Sequence, residues 1–84
     1  MKVIFKYPLD GSLRVSLPVG AKILTVGNQR EELMLWAEVD TTASSEMRQF
    51  RVYGTGDPMP DDPGTWVGTA LFMQGAVVWH VYVQ

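Results

Sequence analysis

Residues 32–40 alternate with a period of two. Leu33, Leu35, Ala37 and Val39 fall on one side of an extended chain, and Met34, Trp36, Glu38 and Asp40 on the other. The same alternation recurs downstream. Phe50 and Val52 oppose Gln49, Arg51 and Tyr53, and Val77, Trp79, Val81 and Val83 oppose Val78, His80 and Tyr82. Arg48 and Arg51 lie on opposite faces of their segment. Turn-forming clusters break the chain at Asp10-Gly11, Pro18-Val19-Gly20, Gly27-Asn28, Thr41–Ser45, Gly54–Gly64 and Gln74-Gly75. Between them the pattern predicts strands over 2–7, 12–17, 22–28, 32–40, 46–54, 65–73 and 76–83. No segment carries a 3.6-residue apolar stripe, so little helix is expected.

Strands this close in sequence are expected to join as hairpins: Gly11 turning the first pair, Gly27 to Arg30 the third and fourth, and Gln74-Gly75 the last. Pro18-Val19-Gly20-Ala21 reads as a further tight turn. The expected fold is all-β, a small antiparallel meander of about seven strands forming a barrel or a curled sandwich.

Size changes the picture next. The chain has 84 residues and is read as a single domain, 1–84. A domain of this length buries only about 60–65% of its unfolded surface. With no cysteine, neither disulfides nor thiolate metal sites supplement the core. Three Trp, three Tyr and three Phe are more rings than so small an interior hides, so part of that load is expected on a surface, and a homo-oligomer is expected. A net charge of −2 argues against a nucleic-acid polymer as partner. No segment reaches a transmembrane length, and the N-terminal residues lack the apolar core of a signal peptide, so no membrane association and a cytoplasmic location are expected.

The stretch Tyr53–Gly64 holds three glycines, three prolines and three carboxylates between two apolar strands, and connections of this kind are often functional. Gly54-Thr55-Gly56 can present backbone amides to an anion or simply turn the chain out of a strand. It has neither the third glycine nor the helix of a dinucleotide fingerprint, and no Gly-Lys-Ser/Thr follows. Asp57, Asp61 and Asp62 are separated by prolines that break metal-loop spacing, and turn capping explains them more simply; no metal and no cofactor is expected. Arg51, beside Tyr53, either meets a phosphate bidentately or pairs across strands with Glu38 or Asp40. His80, the only histidine, lies mid-strand without a marked nucleophile or second base. It is read as a hydrogen-bonded ring among aromatics or as a ligand contact, and no enzyme activity is expected.

Lys6-Tyr7-Pro8-Leu9, Pro18–Leu24, Leu35–Asp40, Phe50–Gly56, Gly68-Thr69 and Val78–Val81 occur in an order that resembles a family of short phage- and prophage-encoded proteins catalogued as a domain of unknown function. The likeness spans nearly the whole chain. Its most specific part is Tyr53–Gly56 with Pro58, although Asp57 stands where members often carry histidine. The resemblance implies a phage accessory protein and no particular reaction. Small phage proteins often counter host defence, and one mode is to sequester a nucleotide-derived immune signal such as a cyclic ADP-ribose isomer or a cyclic dinucleotide. Rings that stack on a base and an arginine that meets phosphate agree with that expectation. The expected ligand-binding residues are Trp36, Arg51, Tyr53, Gly54, Thr55, Gly56, Trp66 and His80. The alternative is a protein-binding inhibitor or assembly module with no small ligand.

Overall fold

The computed structural model describes residues 1–84. Seven strands form: β1 (Lys2–Pro8), β2 (Arg14–Pro18), β3 (Lys22–Gln29), β4 (Glu32–Asp40), β5 (Ser45–Gly54), β6 (Thr65–Phe72) and β7 (Val77–Val83). They make two sheets, β1-β4-β3 and β2-β5-β7-β6, in which every neighbouring pair is antiparallel. The all-β, seven-stranded expectation is met. Of the two architectures expected, the sandwich forms and the closed barrel does not.

The inner faces are those that alternation assigns to the core. Leu35, Ala37, Val39 and Val26 from the first sheet meet Val15, Leu17, Phe50, Ala70, Val81 and Val83 from the second. Phe50, Leu17, Leu35 and Val81 are completely buried. Burying each such side chain contributes roughly 1.5–3 kcal/mol. The sheets touch most closely where β3 meets β6. There Gly68 is so near Val26 that a β-carbon would stand 2.8 Å from Val26 Cγ2 and 3.0 Å from its backbone nitrogen. Asn28 Nδ2 donates to the Leu71 carbonyl at 3.0 Å across the same corner.

Two connections differ from expectation. Gly11 does not join β1 to β2 as a hairpin, because β1 pairs with β4 and β2 with β5. Leu9 stays with the first sheet, its amide donating to the Leu33 carbonyl, and Asp10–Leu13 then turns the chain into the second sheet. Turn chemistry fixes a reversal without fixing which sheet it leads to. The second difference is that β3 runs through Gly27 to Gln29, and the hairpin to β4 turns on Arg30 and Glu31. Both take positive φ, 55° and 65°, as a two-residue primed turn requires. Asn28 Oδ1 accepts the Glu31 amide at 2.8 Å and supports this conformation without glycine.

The long Thr55–Gly64 connection has a topological cause. β5 and β6 flank β7 and run parallel to each other, so the chain leaving Gly54, opposite Trp79, must travel back to Thr65, opposite Val83. That is about 14 Å along the sheet and about 10 Å across it. Prolines hold such a segment extended. Both ends are tied: Asp57 N donates to the Gly54 carbonyl at 3.0 Å, and Gln84 Nε2 to the Pro63 carbonyl at 3.2 Å.

Candidate functional site

The outer face of the β2-β5-β7-β6 sheet gathers most of the candidate residues. Cross-strand partners share a face, and here the pairs are Arg51 with Tyr82, Tyr53 with His80, Trp66 with Tyr82 and Thr69 with His80. The Tyr53 and Tyr82 rings meet edge to face, with centroids 5.7 Å apart and planes at 78°. Trp66 stands more than half exposed, whereas Arg51, Tyr53, His80 and Tyr82 are half-buried.

His80 is fixed from both sides. Its Nε2 lies 2.8 Å from Thr55 Oγ1 and its Nδ1 lies 3.2 Å from Thr69 Oγ1. Trp66 Nε1 donates to the same Thr69 oxygen at 3.3 Å. Indole, hydroxyl, imidazole and hydroxyl thus form one chain of hydrogen bonds across β6, β7 and the exit from β5. A β-bulge between Trp66 and Gly68 is what brings Trp66 and Thr69, three residues apart, onto one face.

Arg51 does not pair with Glu38 or Asp40. Those carboxylates lie on the other sheet, where Lys2 Nζ sits 3.4 Å from Glu38 and the N-terminal ammonium 3.2 Å from Asp40; these are the two ion pairs of the chain. Arg14 shares the Arg51 face at the β2 edge, through its partner Gln49. The four strands place no carboxylate on this face, since Glu46 has the opposite parity and sits opposite Leu17. Arg48 also points the other way, donating to the Ala21 carbonyl at 3.4 Å. A chain of net charge −2 therefore carries a locally cationic aromatic surface.

Two expectations need correction. Trp36 is not part of this surface: it lies on the outer face of the β1-β4-β3 sheet, opposite Lys6 and over Gly27, whose β-carbon would stand 3.5 Å from the ring. Nor is the Gly54 amide free to meet an anion: Gly54, Thr55 and Gly56 form a turn in which Gly56 takes φ +92° and the Gly54 amide donates to Asp57 Oδ2 at 2.8 Å. The chain's own carboxylate occupies the corner and opposes a second negative charge there. Asp57, Asp61 and Asp62 do not come together as a group able to hold a metal ion. Thr69, Tyr82 and Arg14 also belong to the surface, brought there by register with His80, Arg51 and Gln49 rather than by any local sequence signal.

None of the clefts is lined by Arg51, Tyr53, Trp66, His80 or Tyr82, so the face is open rather than concave. A recess of about 250 Å³ touches it at the Gly54-Thr55 corner and at Val78. No helix of the fold is long and apolar enough to cross a membrane.

No curated protein and no solved structure matches the chain. The model of a domain of unknown function, DUF7352, matches residues 1–84, and the chain belongs to that family.

Proposed function

We propose that this protein is a non-enzymatic binding protein whose recognition surface is the outer face of the four-stranded sheet, and that its ligand is a small nucleotide-type molecule. The observation that supports this reading is Arg51, without an ion pair, opposite Tyr82 and on the same face as Tyr53, on strands that bring no carboxylate to that face. Aromatic rings on an antiparallel sheet stack on nucleobases, and a free guanidinium meets phosphate bidentately. Because the face is open, sequestration requires a second copy of the chain to cover the ligand, so the working form is a homo-oligomer. In line with the phage-family resemblance, the role we assign is that of a phage accessory protein that removes a nucleotide-derived immune signal in the host cytoplasm.

Titration with cyclic dinucleotides and cyclic ADP-ribose isomers, followed by amide and indole NMR shifts, tests the proposal. Saturable shifts at Arg51, Tyr53, Trp66 and His80 are expected, with the ligand recovered unchanged after heating. Arg51→Ala is expected to weaken binding by at least about tenfold. Absence of binding tighter than about 1 mM to any of these nucleotides overturns it.

A second reading, a protein-binding module with no small ligand, is favoured by the openness of the face and by exposed Trp66 and Leu71 on it. Recovery of one stoichiometric partner from host lysate, lost in Trp66→Ala, would support it.

A further inference from the structure

A separate feature lies at the end of the sandwich, where the Leu9–Leu13 corner passes between the sheets. A cleft of about 400 Å³ opens there, within the size range of small-molecule sites. Its walls come from both sheets, with Leu33 of β4, Val52 of β5, Phe72 of β6 and Trp79 of β7. Asp10 is the only charged residue lining it. Ser12 donates to Asp10 Oδ1 through its backbone amide at 2.9 Å and its hydroxyl at 2.6 Å, which leaves Oδ2 without a partner in the chain. Those hydrogen bonds hold the Asp10 carboxyl below its ordinary range, so it is ionised at neutral pH.

The corner is also conformationally unusual. Leu13, which lines the cleft, takes φ +57°, a region that residues with a branched side chain rarely occupy. Two backbone hydrogen bonds hold it there, from Leu13 N to the Asp10 carbonyl at 3.0 Å and from Phe50 N to the Leu13 carbonyl at 2.7 Å. Such outliers persist where the surrounding structure fixes them, and they cluster at ligand sites.

We propose that this cleft binds a small organic cation with an apolar body, of the arylalkylamine class, its ring among Leu33, Phe72 and Trp79 and its ammonium at the Asp10 carboxylate. The apolar walls favour an apolar body over a strongly hydrated ion, and the Asp10 carboxylate, exposed to solvent beside them and the only charge lining the cleft, favours a positive group. The indole of Trp79 adds a face that attracts cations. This site is distinct from the sheet surface proposed above, and its occupancy does not depend on that reading.

Three probes of nearly equal size test it on the unaltered protein by NMR titration at neutral pH: 2-phenylethylamine, 2-phenylethanol and 3-phenylpropanoate. The amine is expected to give saturable shifts at Asp10–Leu13 and the Trp79 indole, the alcohol to bind about tenfold more weakly, and the carboxylate not to bind. Asp10→Asn keeps an oxygen for Ser12 and removes the charge. It should weaken the amine about tenfold and leave the alcohol unchanged. No saturable shift at these residues with about 10 mM amine, or equal affinity for amine and alcohol, overturns the proposal. The comparison of probes needs no variant, so it holds even where Asp10→Asn alters the corner.

Discussion

Gly68 and Val26 are in contact across the junction of the two sheets, at a separation that leaves no space for a side chain on the glycine. The approach lets β6 lie against β3, covering one of the two outer strands of each sheet with the other and shielding those edges from pairing with another chain.

Gly68→Ala therefore forces a backbone shift, because one of the blocking atoms is the Val26 nitrogen. A loss of about 1–3 kcal/mol is expected from overpacking. In a domain this small, each kcal/mol lowers the melting temperature by roughly 4–8 °C. Thermal unfolding of Gly68→Ala beside Gly11→Ala, where a β-carbon meets nothing within 4 Å, checks the contact directly. Equal melting temperatures would remove the junction from the account.

Phe50 is the largest fully buried side chain. Phe50→Ala is expected to cost about 3–5 kcal/mol, a large part of the stability of a small domain. Urea unfolding followed by the tryptophan signal should show the midpoint fall sharply or the cooperative transition disappear.

Asp57 closes the turn out of β5 by accepting the Gly54 amide. Asp57→Ala removes that acceptor and should raise hydrogen exchange at Gly54 by about tenfold while the core amides stay protected. An unchanged rate would show that the turn is held without the carboxylate.

Acid sensitivity follows from Asp40, whose pKa is lowered to about 2, first by its hydrogen bonds from the Thr42 amide and hydroxyl and then by the N-terminal ammonium. A carboxylate depressed in the folded state stabilises it fully above the unfolded value, near 3.9. That stabilisation is lost progressively as pH falls from there through about 2. Urea midpoints measured across this window should rise with pH in the parent chain and less steeply in Asp40→Asn.

The sequence reading succeeded where physics is local and failed where it is not. Alternation placed Leu35, Phe50 and Val81 inside and Arg51, Tyr53 and His80 outside, since pleating alone decides which way a side chain leaves a strand. It could not tell that Trp36 and Arg51 leave different sheets. That depends on β4 pairing with β1 and β3 rather than β5, a long-range choice with no local signature. Gly68 was visible as a glycine inside a strand, and reading it as a bulge would have placed Thr69 with Trp66. The length of the Thr55–Gly64 connection, suggestive of function in the sequence, is set by a crossover between parallel strands.

Pairing of β1 with β4, from Lys2 opposite Asp40 to Pro8 opposite Met34, has a consequence for synthesis. A ribosome delivers β1 and β2 well before residues 34–40 and 45–49 exist to receive them. On emergence β1 has no neighbour to zip onto, and its assembly waits for distant contacts, a topology that slows folding. Ile4 and Phe5 are open to other chains during that wait and stay exposed in the fold, and Lys2 and Lys6 on either side place charges where they oppose aggregation.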